Sequence, residues 1–270
     1  MLKRRKIAIS QLTDTPICKG KGFGWNYQYG YTRAAEARAA GECGQDYLVF
    51  EQTQDHLLFV VCDGISMSYY GELAARFLGD HLLEWLSTRN SDEQAVSELQ
   101  TLLDQYLREI TRNAIELLQG HHLPDHIQGM LREVLMTKKA QGSGAIYGCG
   151  RIDRPSPLLP NGRILLAWQG DVRIRLWTDG MEQKGLLGKS FDNAHQWNSI
   201  VGAVGGKPHI YTDTTRDWKH GAVLLYSDGL KTLDSFSEIS TERLSQVMER
   251  EAEDESSDDM SVFYADWDFT

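Results

Sequence analysis

The chain has 270 residues, 41% of them hydrophobic, which is enough apolar material for one large soluble domain or two small ones. Its 38 acidic and 28 basic residues give a formal net charge of −10, which argues against nucleic acid as a partner and suits cations. The four cysteines lie far apart without a C-x-x-C pair, so we expect reduced thiols and a cytoplasmic protein.

The first residues, MLKRRKIAIS, carry the positive charge of a signal peptide, but polar residues interrupt the apolar segment that should follow. No apolar run approaches the roughly 18 residues that a membrane span needs. We therefore expect no membrane association. The organisation of the sequence favours a single domain over residues 1–270.

Segments with the length and composition of strands lie at residues 46–52, 56–63, 143–152, 163–171, 173–180, 222–229 and 261–268. Helical spacing of apolar residues occurs at 71–86, 92–118, 126–138 and 240–251. A proline-rich segment, 153–162, separates two of the strands and predicts a hairpin loop. Strands and helices do not alternate, so the pattern predicts an α+β fold of antiparallel sheets covered by helices.

Two of the predicted strands end in the same dipeptide, Asp-Gly. One is Asp63 with Gly64, in VVCDG, and the other is Asp228 with Gly229, in LLYSDG. A sheet fixes the backbone at such a position, while the side chain faces outward and glycine allows close approach of a ligand. Carboxylate and carbonyl oxygens are the ligands that magnesium and manganese prefer. Taken alone, either dipeptide is sufficiently explained as a turn.

Further aspartates are predicted to lie at the same edge. Asp46 begins the strand that should form a hairpin with the strand ending at Asp63. Asp258 and Asp259 precede the last strand, which would bring them beside Asp228 if the two strands are antiparallel neighbours. Carboxylates gathered in this way repel one another unless cations lie between them. The sequence therefore predicts a metal site.

Seven segments resemble, in order, the motifs of the protein phosphatase 2C family, the metal-dependent serine/threonine phosphatases. They are GQDYLVF, FVVCDGISMSYYGELAARFL, GSGAIYGCGRI, LLAWQGDVRIRLW, NSIVGAVGG, AVLLYSDGLKTL and SSDDMSVFYADW. The resemblance extends from about Gly24 to Asp268 and is closest to bacterial members. It implies a four-layer α-β-β-α sandwich of two antiparallel sheets between pairs of helices.

The same resemblance implies a centre of two manganese or magnesium ions, whose bridging water attacks the phosphate. Its catalytic residues would be Asp46, Asp63 and Asp228, and its metal ligands Asp46, Asp63, Asp228, Asp258 and the carbonyl of Gly64. Asp171 matches an aspartate that in some members helps bind a weaker third ion, although it is equally well explained as a turn residue. Asp259 replaces the family's asparagine.

Several positions depart from the family pattern. Gln45 stands where many members have glutamate, and Ile65 stands where animal enzymes have a histidine that acts as a general acid. The arginine that binds the substrate phosphate would fall at Gly41. Arg38 or Arg33 could reach the phosphate from the same segment, because a guanidinium grips it from several directions, or both could be surface charges.

The resemblance favours a phosphatase acting on phosphoserine and phosphothreonine in proteins, opposed by a serine/threonine kinase. The departures at Gly41 and Ile65 keep open a phosphatase-like binding or regulatory module with little turnover, and a small-molecule phosphatase. Residues 178–209 would form a variable flap beside the centre. In it, Trp197 would contact a substrate protein or pack within the flap.

Overall fold

The computed structural model describes residues 4–89, 95–184, 191–192, 194–218 and 220–269. One antiparallel sheet contains the neighbouring strands β1 (Arg5–Ala8), β4 (Tyr47–Gln52), β5 (His56–Gly64) and β6 (Gly144–Asp153). β6 pairs along most of its length with β7 (Arg163–Gln169), which pairs in turn with β12 (His209–Asp213). The start of β6 pairs with β10 (Gln196–Asn198), followed by β11 (Gly202–Val204).

The second antiparallel sheet has six strands. In spatial order they are β2 (Thr15–Gly22), β3 (Trp25–Thr32), β14 (Met260–Asp268), β13 (His220–Tyr226), β8 (Arg173–Thr178) and β9 (Met181–Glu182). The two sheets pack through aromatic side chains, with ring centroids of Phe263 5.0 Å from Phe50 and 5.2 Å from Phe59.

Helices pack on the outer faces of both sheets. The described helices are α1 (Ala35–Ala40), α2 (Gly71–Ser87), α3 (Val96–Glu109), α4 (Thr111–Gly120), α5 (Gly129–Gln141) and α6 (Thr241–Ala252), with a 3-10 helix at Asp228–Ser235. α2 packs on β4, β5 and β6, and α3 on β11 and β12, whereas α6 and the 3-10 helix lie on the second sheet. The α+β sandwich predicted from the sequence is confirmed. None of the described helices is long and apolar enough to cross a membrane.

The central strands of the first sheet have largely apolar sequences, and their burial explains this pattern. Every residue of β4 and of β6 is buried, because the second sheet covers one face and helices cover the other. Such strands need no polar alternation. This burial fixes the register of the first sheet and with it the positions of the residues at its edge.

Several elements differ from the sequence prediction, and among them α1, β9, β10, β11 and β12 were not predicted. The helix predicted at 92–118 is two helices that meet at Ile110, where the hydroxyl of Thr111 donates to the carbonyl of Arg108 at 2.6 Å. Residues 92–94 lie outside the described part of the chain. β1, β2 and β3 were not predicted, since their glycines, lysines and polar residues obscure the period of a strand.

Candidate metal centre

Two pairs of strands bring the predicted aspartates to one end of the sandwich. Tyr47 of β4 lies opposite Cys62 of β5, so Asp46 and Asp63 occupy the next positions outward. In the second sheet Tyr226 of β13 pairs with a residue near the start of β14, so Asp228 and the aspartates before β14 emerge together. The antiparallel pairing expected from the sequence is present in both sheets.

Asp46 is the most deeply buried of these aspartates. The residue is only 1% exposed, and within the described part of the chain neither carboxylate oxygen has a hydrogen-bond partner. Its pKa is raised well above the ordinary value, mainly by burial and then by Asp259, while the nearby hydroxyls of Ser227 and Ser261 act in the opposite direction. Neither hydroxyl, however, forms a hydrogen bond of acceptable geometry with it. A buried carboxylate without a partner is unfavourable, and a cation would satisfy it.

Asp63 lies at the centre of a set of aspartates that we call the acidic group. Its members are Asp46, Asp63, Asp171, Asp228, Asp258 and Asp259. Burial raises its pKa most, followed by repulsion from other carboxylates, in the order Asp46, Asp228, Asp258 and Asp171. The pKa of Asp228 is also raised by burial, then by Asp258 and Asp171, with Arg173 and Lys231 opposing. All the residues assigned to the ions by sequence, apart from Gly64, thus act on one another electrostatically.

The donor set fits a hard divalent cation, since it consists of carboxylates and backbone carbonyls. In the described residues, no three His, Cys, Asp or Glu side chains are arranged closely enough to enclose an ion as they stand. Repulsion acts over longer distances than coordination, so the aspartates converge on one region without surrounding a single point. Gly64 is required by packing, because a Cβ there would collide with the backbone of Gly71 and lie 2.9 Å from the Gln45 carbonyl oxygen.

Asp259 has a structural role that the sequence did not define. Its two carboxylate oxygens accept the backbone N–H groups of Ala34, at 2.8 Å, and Gln45, at 2.7 Å. These bonds join the segments before α1 and β4 to the start of β14. Asp258 is exposed, and its Oδ1 accepts the backbone N–H of Asp259 at 2.8 Å.

Ser227 and Ser261 were not predicted as part of this region. The Oγ atom of Ser227 accepts the backbone N–H of Ser261 at 2.9 Å, and the Ser227 N–H donates to the Ser261 carbonyl at 3.1 Å. The pair fixes the two strand ends beside Asp46. Its sequence signal was the presence of a serine in both SDG and DDMS.

A cavity of about 440 Å³ adjoins the acidic group, shares Asp258 and Asp259 with it and is also lined by Gln45. Its other acidic lining residues are Glu36, Glu42 and Glu255, and no lysine or arginine of the described ranges lines it. The cavity is therefore polar and acidic, with room for a phosphoester close to the carboxylates.

The two arginines proposed to bind phosphate are engaged elsewhere. Arg33 donates from Nε to Asp14 at 2.9 Å and from NH1 to the carbonyl of Glu42 at 3.1 Å. Arg38 donates to the carbonyl of Ala252 at 2.6 Å. Gly41 ends α1 with a φ of 67°, and a Cβ built there would meet no described atom within 4 Å.

Three further predicted positions can be compared with the structure. Trp197 is buried, donates from Nε1 to the carbonyl of Leu107 at 3.0 Å and stacks on Phe77, so it packs internally and does not present a surface for substrate. Ile65 is half-buried, with its N–H bonded to the Gly144 carbonyl. Asp171 lies in the turn between β7 and β8, where its carbonyl accepts from Arg173 at 2.9 Å.

The structure thus defines a class of protein, a two-sheet α+β sandwich with carboxylates gathered at one end. The sequence model of the family described as Protein phosphatase 2C matches residues 33–145, which contain Asp46 and Asp63. The family resemblance inferred from the motifs is confirmed over this segment. A search of curated proteins finds no match.

Solved structures with a similar fold include RsbX in complex with magnesium, at 14% identity and a TM-score of 0.53, covering 93% of this chain and 99% of the other. Another is the serine/threonine phosphatase Stp1 from Staphylococcus aureus, at 15% identity and a TM-score of 0.49, covering 98% and 94%. The catalytic domain of the phosphatase PstP with two manganese ions has 17% identity and a TM-score of 0.49, covering 98% and 99%. The similarity to RsbX shows that the fold is shared.

Proposed function

We propose that this chain is a metal-dependent phosphatase that removes phosphate from phosphoserine and phosphothreonine in proteins. The observation that carries the proposal is Asp46, a buried carboxylate with two unpartnered oxygens among other carboxylates. The match to the phosphatase 2C family supports it, as does the magnesium bound by RsbX, whose fold is similar.

The ions would be held by Asp46, Asp63, Asp228, Asp258 and the Gly64 carbonyl, with Asp171 contributing to a weaker third position. Bound there, manganese or magnesium would supply an activated bridging water and electrostatic stabilisation of the phosphoryl oxygens. Asp259 would act indirectly, by holding the Ala34 and Gln45 segments in place. Ile65 has no proton to donate, so the leaving hydroxyl would take its proton from water in the open cavity.

The proposal extends to the substrate class, the cellular location and the domain organisation. The cavity is wide enough for a phosphorylated side chain and is open to solvent beside Asp258. A protein substrate phosphorylated by a serine/threonine kinase, a cytoplasmic location and a single-domain organisation are parts of this proposal.

The test is hydrolysis of para-nitrophenyl phosphate and of a phosphothreonine peptide, with and without manganese. We expect Asp63→Asn and Asp228→Asn to lose about 100-fold or more in kcat/KM, since each removes a charge that binds the ions. Asp217→Asn, at an exposed position outside the acidic group, serves as the control. Full manganese-dependent activity in both site variants would contradict the proposal.

A second candidate is a phosphatase-like module that binds a partner with little turnover. The internal hydrogen bonds of Arg33 and Arg38 favour it, because they leave the substrate phosphate without an evident guanidinium. Gly41→Arg would restore an arginine at the family position, where space is open. Any residue other than glycine at this positive φ lowers stability by about 1 kcal/mol. Gly41→Asn, which lacks the guanidinium, is therefore the matched control. Manganese uptake without turnover, in the natural chain and in Gly41→Arg, would favour this candidate.

A further inference from the structure

The outer face of the second sheet is only partly covered. α6 buries Leu244, Val247 and Met248 against the part of β13 and β14 that lies near the acidic centre. Toward the opposite end of these strands the sheet forms a groove of about 590 Å³. Its lining includes Trp177, Glu238, Ile239, Tyr264, Asp266 and Asp268.

The register explains how these side chains come together. Asp266 of β14 pairs with Ala222 of β13, and Ala222 pairs with Trp177 of β8, so the three lie in one row across the sheet. Successive side chains of a strand point to opposite faces, which places Tyr264 on the same face as Asp266. Small Ala222 leaves space between the larger residues, and the row forms a groove with aromatic walls.

The groove is acidic. Glu238, Asp266 and Asp268 line it together with His220, whose Nδ1 lies 3.4 Å from Asp268, and among the residues that the structure describes no lysine or arginine does. Arg175 stacks on the Trp177 ring at 4.9 Å, but its guanidinium is held by Glu182 at 2.6 Å and by the carbonyl of Leu233 at 3.0 Å. The charge of the Arg175 guanidinium is therefore already paired with these acceptors. Aromatic rings and carboxylates together attract ammonium and guanidinium groups.

We propose that this groove docks a lysine- or arginine-bearing segment of the phosphoprotein substrate, an inference that rests on the proposed phosphatase function. The charge of the lining selects a basic occupant, and the aromatic walls accommodate its aliphatic stems. Ala222 and Asp228 are six residues apart, or about 20 Å at ~3.3 Å per residue. The docking segment and the phosphorylated residue must therefore be separated by at least about six extended residues.

Binding is tested without metal, so that the result does not depend on catalysis. The probe is a fluorescein-labelled peptide of lysines separated by glycines, measured by anisotropy, with a glutamate peptide as the charge-reversed control. We expect Glu238→Lys to weaken binding about tenfold and Asp266→Asn about threefold. Both changes are conservative for folding, since Glu238 is exposed and asparagine can still accept the hydrogen bond from Asn26. Glu116→Lys, on the exposed surface of α4, is the control. Equal affinity in all variants would overturn the proposal.

The kinetic test compares two phosphothreonine peptides that differ only in a lysine-rich segment placed about eight residues from the phosphothreonine. The segment should lower KM about tenfold with kcat unchanged, and Glu238→Lys should abolish that difference while hydrolysis of para-nitrophenyl phosphate stays constant. A KM advantage that persists in Glu238→Lys contradicts docking in the groove. Loss of all turnover with the lysine peptide still bound would refute the phosphatase function and leave the groove as a docking site.

Discussion

The two ends of β5 show two different ways of burying an aspartate. At one end, Asp153 of the neighbouring β6 is 5% exposed and forms ion pairs with Arg151 at 2.7 Å and Arg163 at 3.1 Å. At the other end, Asp46 is 1% exposed, and its oxygens have no partner. Both carboxylates have left water, but only Asp153 has been compensated by protein groups.

The difference separates a charge that protein groups compensate from one that they leave uncompensated. The arginines around Asp153 also bind backbone carbonyls at the end of α2 and just beyond it, with Arg151 bonded to Leu86 at 2.9 Å and Arg163 to Arg89 at 2.8 Å. These hydrogen bonds satisfy the Asp153 carboxylate within the protein and link β6 and β7 to the end of α2. The acidic end is left open at a cost in stability, which is expected where a site is organised for a ligand.

The largest expected effect on stability is at the structural end. Asp153→Ala leaves two poorly exposed arginines without their carboxylate, and we expect the free energy of unfolding to fall by about 3–5 kcal/mol. Urea denaturation measures the change, and Asp55→Ala, at an exposed turn nearby, is the control. A loss below about 1 kcal/mol would remove the contrast between the two ends.

Divalent metal should act only at the acidic end. If manganese binds the folded chain alone, free metal at 100 times its Kd raises the free energy of unfolding by about 2.7 kcal/mol. Thermal unfolding with increasing manganese detects this, and the stabilisation should disappear in Asp46→Asn but persist in Asp55→Ala. Equal stabilisation of Asp46→Asn by manganese would show that the ion binds elsewhere.

Without metal, substitutions at the two ends should have opposite signs. Asp46→Asn removes the charge that repels Asp63, so we expect the metal-free protein to gain about 1–2 kcal/mol. Asp153→Asn should lose stability under the same conditions. Urea denaturation in the presence of a chelator measures both. Destabilisation of the metal-free protein by Asp46→Asn would mean that Asp46 is structural.

The smallest effect concerns pH at the structural end. Burial, and next the positive charge of Arg151, lower the pKa of His56, which pairs with Asp153 in the sheet. Below its ordinary pKa of about 6.5 the unfolded chain takes up this proton before the folded one does, so stability falls as the pH drops below 6.5. His56→Gln should reduce the slope of stability against pH between about 6.5 and 5. An unchanged slope would contradict the assignment.

The sequence predicted the fold best where burial is complete. β4, β5 and β6 are apolar over most of their length because both faces are covered, and this pattern is visible without a structure. β2 and β3 lie toward the edge of the second sheet, where exposed lysines and asparagines alternate with glycine and tyrosine. The break at Ile110 depends on a local hydroxyl bond, and the apolar stripe continues through it.

The candidate site was predictable to a similar extent. The converging aspartates followed from strand pairing together with the Asp-Gly positions. Arg33 donates a hydrogen bond to Asp14, and Arg38 donates one to the carbonyl of Ala252. Both bonds connect residues that are distant in the chain, so nothing in the local sequence indicates them. The internal position of Trp197 likewise depends on its contact with Leu107, which only the folded chain creates.

We expect the acidic end of the sandwich to bind divalent cations through Asp46 and Asp63. Isothermal titration of the metal-free chain with manganese measures this binding. We predict uptake of two ions per chain, with binding lost or reduced to a single weak site in Asp46→Asn and Asp63→Asn. No heat of binding in the natural chain, or identical isotherms in all three proteins, would contradict it.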